Sequence, residues 1–186
     1  LVHDKEGGIR SVEPMQWNPN AQWIEVLDNN FFANPNWREA VEDLKRQKLP
    51  VNFSGVDIRI MDEEQAAALN SIKLKRNIHI AWDLPQIDLT PRLEAMTKHI
   101  KPYKIRCYVL IGFNSTKEQD LQRLRTLKRF DIMPFVQPYR DYENKRKPSN
   151  YEKDISRWAN RTWLFKSMDF FDYEPRKGFK CSEYFK

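Results

Sequence analysis

The sequence has few cysteines and no long apolar run, and both features narrow the class of protein. Its 186 residues include two cysteines, Cys107 inside an apolar segment and Cys181 in a polar tail. A disulfide framework is therefore not expected, and neither cysteine has another Cys or a His at zinc-ligand spacing. These features indicate the reducing cytoplasm and predict no metal site. No apolar stretch approaches the ~20 residues that a membrane-spanning helix needs.

The beginning of the chain and its charge give two further expectations. The first ten residues, LVHDKEGGIR, lack the apolar core of a secretory signal and do not begin with Met, so we expect the natural start to lie upstream. The net charge of +6 permits a polyanionic partner without requiring one. The densest basic group, Lys145-Arg146-Lys147, fits either a solvated loop or a loop that contacts phosphate.

Five apolar runs, each followed by polar residues and then by a helical pattern, dominate the sequence. A parallel strand that is buried on both faces reads as a continuous apolar run, and parallel strands are usually connected by helices. The pattern predicts βα units whose strand ends form one polar rim. The runs are WIEVLDNNF from Trp23, LPVNFSGVDIR from Leu49, NIHIAWD from Asn77, KIRCYVLIGFN from Lys104 and IMPFVQPYR from Ile132.

The arrangement of the polar residues favours one of two α/β architectures. Neither GxGxxG nor GxxxxGK[ST] occurs, so the phosphate-binding forms of the doubly wound sheet are not supported. Polar residues follow all five runs instead of clustering at one switch point, which predicts a curved, partial βα barrel of about five units. We expect one domain over residues 1–186, with an irregular lead-in at 1–21 and a C-terminal tail at 164–186.

Local signals make several element-level predictions. The second strand is expected over residues 51–60, with a bulge or close backbone approach at Gly55. On the helix that follows the fourth strand, leucines face inward and Arg123 is expected mainly on the outside. Helix N-caps are expected at Asp62, at Thr90 and at either Ser115 or Thr116.

Polar residues at two of the strand ends each have a functional and a purely structural interpretation. Asp28, Asn29 and Asn30 together could bind an ammonium group or the hydroxyls of a small ligand, but Asp and Asn are also common turn residues. Asp57 and Arg59 are expected on one side of the second strand, where they either bind a ligand or form an ion pair that orders the loop.

The third strand and the aromatic residues leave similar alternatives open. Alternation along the third strand places His79 on the same side as Asp83. His79 is then either a hydrogen-bonded imidazole in the core or a group with a metal-binding or acid–base role. Glu118 falls in the first turn of a helix, where the helix dipole explains a carboxylate without any function. Trp158 and Trp163, with arginines nearby, fit core packing or base stacking.

These segments, in this order and spacing, resemble the later portion of a radical S-adenosylmethionine (SAM) protein of an uncharacterised phage and bacterial group. The resemblance spans nearly all of the chain and is specific as a set, although each segment alone is weak. The segments are LDNNFFANPNW, VNFSGVDIRI, IHIAWD, YVLIGFNSTKEQDLQRL, PFVQPYR and RWANR.

The resemblance implies a six-unit partial βα barrel in which a CxxxCxxC loop holds a 4Fe-4S cluster that cleaves SAM to a 5′-deoxyadenosyl radical. It places Asp28, Asn29 and Asn30 near the SAM amino group, and Asp83 at the ribose. It places Asp57 and Arg59 at ribose, carboxylate or substrate. Gly112, Asn114 and Glu118 correspond to the glycine-containing motif near adenine, and residues 132–139 to backbone contacts with adenine.

The chain departs from this pattern because it contains no CxxxCxxC. The resemblance therefore implies the C-terminal portion of a radical SAM enzyme of unknown substrate, inactive by itself. The alternatives are a non-catalytic binding module and a nucleic-acid-binding accessory protein. The resemblance also implies a missing first unit, so the strand from Trp23 is expected at a sheet edge. That edge is expected to be covered by residues 1–21 or by a second copy of the chain.

Overall fold

The computed structural model describes residues 18–28 and 30–186. Within these ranges the chain forms five parallel strands and six α-helices that alternate along the sequence. The strands are β1 (Ile24–Val26), β2 (Val51–Phe53), β3 (Ile78–Ala81), β4 (Ile105–Ile111) and β5 (Met133–Pro138). The helices are α1 (Trp37–Arg46), α2 (Glu63–Ser71), α3 (Thr90–His99), α4 (Lys117–Arg129), α5 (Asn150–Ala159) and α6 (Thr162–Ser167). Residues 1–17 of the predicted lead-in lie outside the described residues.

The strands follow one another in sequence order, and every pairing is parallel. β1 pairs with β2, and β3, β4 and β5 form a second sheet in that order. Backbone contacts also join the two sheets, because Val51 bridges to Leu74 ahead of β3 and the Val56 N–H donates to the His79 carbonyl. The α/β class with parallel strands is thereby confirmed.

The sheet of β3, β4 and β5 has one buried side and one partly open side. On β4 the alternate residues Ile105, Cys107, Val109 and Ile111 are fully buried, whereas the intervening residues are half-buried. The buried residues belong to one continuous apolar core that also contains the inward faces of the helices. The opposite side, which we call the open face, carries the alternate side chains of β3, β4 and β5.

Helix positions agree well with the periodicity of the sequence because apolar residues at intervals of three and four positions form one buried stripe. On α1 this stripe is Trp37, Val41 and Leu44. Asp62 and Thr116 cap α2 and α4, and each forms a capping box with the glutamine three residues later. Asp62 is thus confirmed as an N-cap, and Thr116 is the cap of α4.

Three local predictions were wrong. The second strand ends at Phe53 and is followed by an irregular segment and a 3-10 segment, Ile58–Ile60. Thr90 is the first helical residue and not the cap, and its N–H is bonded to the carboxylate of Asp88. Arg123 is 2% exposed, because it reaches beneath the strand ends. The C-terminal tail folds back onto the core through 3-10 turns at Phe170–Asp172 and Cys181–Phe185, and this buries Cys181.

The outer edge of β5 is covered by a side chain. The Asn160 amide, just after α5, accepts a hydrogen bond from the Val136 N–H at 2.7 Å and donates to the Val136 carbonyl at 3.0 Å. This pair of bonds replaces a neighbouring strand at that position. Pairing of a second copy along β1 stays a prediction. In the described part of the chain, no helix has both the length and the apolar character to cross a membrane.

Candidate functional site

A pocket of about 460 Å³ opens beside the carboxyl ends of β2 and β3. It lies where parallel α/β folds generally bind ligands. Its volume falls within the range of small-molecule sites, which is roughly 300–1,000 Å³. One part of its lining is polar and the other part is apolar. The polar side chains are Ser54, Asp57, Arg59, His79, Asp83 and Tyr108, and the larger apolar ones are Val56, Ile80, Trp82, Leu84, Ile87 and Leu89.

Asp57 and Arg59 form a two-pronged ion pair at the mouth of the pocket. Arg59 donates from Nε at 2.9 Å and from Nη2 at 2.6 Å to the Asp57 carboxylate, which also accepts the Arg59 N–H. The hydrogen bonds from Arg59 lower the pKa of Asp57 and raise the pKa of Arg59. The ion pair named in the structural interpretation therefore forms. The guanidinium side chain remains 57% exposed, so it can also contact a ligand.

Asp83 joins the ends of β3 and β4. Its Oδ1 accepts a hydrogen bond from the Leu110 N–H at 3.3 Å, and the second carboxylate oxygen has no hydrogen-bond partner within the described residues. The preceding residue, Trp82, forms one wall of the pocket and donates its indole N–H to the Ile87 carbonyl at 2.9 Å. The pocket thus combines a carboxylate with a rigid aromatic wall.

His79 lies on the open face and lines the pocket. Its ring meets the Tyr108 ring edge-on, with the centroids 5.4 Å apart. Burial, together with the positive charges of Arg106 and Arg76, lowers the pKa of His79, so the imidazole is mainly neutral at pH 7. A neutral imidazole can both donate and accept a hydrogen bond, which suits contact with a polar ligand.

Two buried charged side chains, Arg123 and Asp120, stabilise the strand ends beside the pocket. Sequence analysis did not predict that they are buried. Arg123 donates to the Trp82 carbonyl at 2.5 Å and to the Leu110 carbonyl at 2.9 Å, so it ties together the ends of β3 and β4. Asp120 accepts from the same guanidinium at 2.7 Å. The i, i+3 spacing of Asp120 and Arg123 was visible in the sequence, but their burial depends on residues distant along the chain.

The predicted residues do not all meet at this pocket. Asp57, Arg59 and Asp83 line it together. Asp28 instead accepts the Asn30 N–H in a local turn at 2.7 Å, and Asn29 lies outside the described residues. By strand register, Asp28 follows β1 alongside the segment of Ser54 and Gly55, next to the pocket and not in its lining.

The residues after β4 lie elsewhere. Gly112 adopts a positive φ of 70° close to Glu152, and Asn114 also has a positive φ, of 54°. Glu118 lines a separate groove between α4 and the C-terminal tail, with Arg125 and Phe185. The carboxylate of Glu118 is therefore not part of the pocket at β2 and β3.

Within the described residues, no group of three or more His, Cys, Asp or Glu side chains is arranged to hold a metal ion. Cys107 on β4 and Cys181 in the tail are both fully buried in the core, and burial raises the pKa of both thiols. Comparison with known protein families, curated proteins and solved structures found no match for this chain.

Proposed function

We propose that the pocket between β2 and β3 binds SAM and that the chain is the C-terminal, SAM-binding portion of a radical SAM enzyme whose substrate is unknown. On this proposal the five strands are part of a βα barrel. The observation that carries it is the convergence of Asp57, Arg59 and Asp83 on one pocket at the carboxyl ends of parallel strands. This convergence coincides with three of the positions that the resemblance assigns to the ligand.

The pocket chemistry suits the ligand. SAM carries a positively charged sulfonium, an amino acid group, ribose hydroxyls and a flat adenine ring. Asp83 offers a carboxylate oxygen to a cation or hydroxyls, and the exposed guanidinium of Arg59 suits the ligand carboxylate. Trp82, Leu84 and Ile87 provide apolar surface for the ring. When bound, SAM would supply the reactive group, and these residues would hold and orient it.

The residues of this chain do not fit an iron–sulfur cluster. Such clusters are held by several cysteine thiolates, whereas this sequence contains two cysteines and both side chains are buried in the core. We therefore assign no catalytic step to the chain by itself. The same observation favours a second candidate function, a non-catalytic module that binds a ligand in the same pocket.

Calorimetric titration tests SAM binding. We expect saturable binding with a dissociation constant on the order of 10 μM, and at least tenfold weaker binding of S-adenosylhomocysteine, which lacks the sulfonium charge. Asp83→Asn should also weaken SAM binding about tenfold, because the amide keeps an oxygen for the Leu110 N–H but removes the negative charge.

The matched control is Asp141→Asn, because that carboxylate bonds to Asn144 in a loop that does not line the pocket. It should leave SAM binding unchanged. Absence of saturable binding, or equal affinities for the two nucleosides and for both variants, would exclude the proposal. Anaerobic treatment with iron and sulfide should give this chain no absorption from an iron–sulfur cluster. A stable cluster would contradict the argument that two buried cysteines cannot hold one.

A further inference from the structure

The open face carries a row of aromatic rings across three neighbouring strands. His79 on β3, Tyr108 on β4 and Phe135 on β5 meet edge to face, with successive centroids 5.4 Å apart. Tyr108 is directly paired with Phe135 in the β4–β5 register. Phe135 is 36% exposed although it lies in the middle of a strand. An aromatic side chain in the middle of a strand is usually covered by neighbouring side chains, so this degree of exposure is unusual.

The row continues to the carboxyl rim of the sheet. Along β5 the alternate residues Phe135, Gln137 and Tyr139 follow at steps of about 6.6 Å, and Tyr139 continues the ladder by donating its N–H to the Ile111 carbonyl. The Tyr139 ring lies 4.6 Å from that of Phe113, which is 45% exposed. We call Tyr108, Phe135, Tyr139 and Phe113 the aromatic track.

Positive charge accompanies the track. Arg106 lies on the open face next to His79 in the β3–β4 register, and it makes no salt bridge within the described part of the chain. At the rim, Arg146 approaches the Tyr139 ring to 5.8 Å, and it donates both to the Tyr139 carbonyl and to the buried carboxylate of Glu152, which balances part of its charge. In the loop that follows, the further cations Arg140, Lys145 and Lys147 outnumber the carboxylates Asp141 and Glu143. Rings with interspersed cations suit a ligand that combines flat bases with phosphates.

We infer that the aromatic track binds single-stranded nucleic acid, with bases stacked on its rings and phosphates held by Arg106 and the basic loop after β5. A duplex keeps its base faces buried, so stacking on this track requires unpaired bases. Stacking tolerates any base, so we expect little sequence preference. Tyr108 belongs both to the track and to the lining of the pocket. On the proposed function, the nucleic acid bound there would therefore be the substrate of the enzyme.

Fluorescence anisotropy without SAM tests the inference independently of the pocket. The probes are single-stranded RNA and DNA of about twelve nucleotides, and the corresponding duplex, each at several salt concentrations. We expect the single strands to bind in the low micromolar range and the duplex at least tenfold more weakly. Phe135→Ala should weaken single-strand binding about tenfold. Arg106→Gln should lower the slope of log affinity against log salt by about one.

The control is Trp163→Ala, because that side chain is 64% exposed on α6, outside the sheet. It should leave affinity unchanged, and circular dichroism should show both alanine variants folded. Tighter binding of either RNA or DNA would support the inference and would show which of the two nucleic acids the track prefers. Equal binding of duplex and single strand, equal effects of the two alanine variants, or affinity no better than about 10⁻⁴ M would overturn it. These outcomes leave SAM binding untouched, so the two proposals fail separately.

Discussion

Arg123 and Asp120 form an ion pair one turn apart on α4, with Nη2 of Arg123 2.7 Å from Oδ1 of Asp120 and each side chain 2% exposed. Burial raises the pKa of Asp120, and hydrogen bonds from Ser115 and Arg123 offset only part of this effect. Since Arg123 also donates to the carbonyls of Trp82 and Leu110, the pair connects α4 to the ends of β3 and β4 beside the pocket.

Asp120→Ala should therefore destabilise the protein by about 3 kcal/mol, because it leaves a buried guanidinium without its counter-charge. Urea unfolding followed by circular dichroism measures this change. The control is Asp131→Asn, which breaks the exposed pair with Lys166 and should leave the unfolding midpoint unchanged. Similar midpoints for the two variants would show that the buried pair does not stabilise the strand ends.

Two glycines with positive φ in the described part of the chain allow the cost of a left-handed backbone to be compared with the cost of steric overlap. Gly112 has φ 70° and Gly178 has φ 77°, but a Cβ at Gly112 would overlap the Glu152 carboxylate, whereas nothing lies near a Cβ at Gly178. Gly178→Ala should cost about 1 kcal/mol from the left-handed conformation alone. Gly112→Ala should cost about 3 kcal/mol, because Glu152 also caps α5 through Ser149. Equal costs in thermal unfolding would contradict the overlap.

The contact between Asn160 and Val136 predicts both a stability change and an association change. Asn160→Ala removes both bonds to a half-buried peptide group and should cost about 2 kcal/mol. It also uncovers part of the β5 edge, so we expect concentration-dependent association by light scattering. Asn160→Asp keeps the acceptor for the Val136 N–H but not the donor, so its cost should be intermediate. If the alanine variant stays monomeric and as stable as the wild type, the amide does not protect this edge.

His79 should make stability depend on pH below neutrality. The pKa of a His in the unfolded chain is about 6.5, and burial beside Arg106 and Arg76 lowers it in the folded state. The unfolded state therefore binds the proton more readily, so stability falls as the pH drops through about 6.5 and levels off below the folded pKa. Urea midpoints between about pH 8 and pH 5 should fall less steeply for His79→Gln than for wild type. Identical slopes would show that His79 is not desolvated.

The sequence alone determined the elements whose signals are local. The helical spacing of Trp37, Val41 and Leu44 is enough to indicate α1 and its buried stripe, because that pattern depends only on residues within a few turns. The capping residue Asp62 was found for the same reason, since its partner Gln65 is three positions away. The parallel α/β class followed from the repetition of such signals along the chain.

Only the tertiary structure decided which polar residues meet and which charges are buried. Asp57, Arg59 and Asp83 come together because Val56 bonds to His79 across the gap between the two sheets. Glu118, predicted at the same rim, lies on a helix face that is directed towards the tail. Arg123 is buried because carbonyls at Trp82 and Leu110 satisfy it, and no local pattern encodes partners 41 and 13 residues away. Hydrogen bonds between distant segments form only once the core has closed, which is why residue spacing alone could not reveal them.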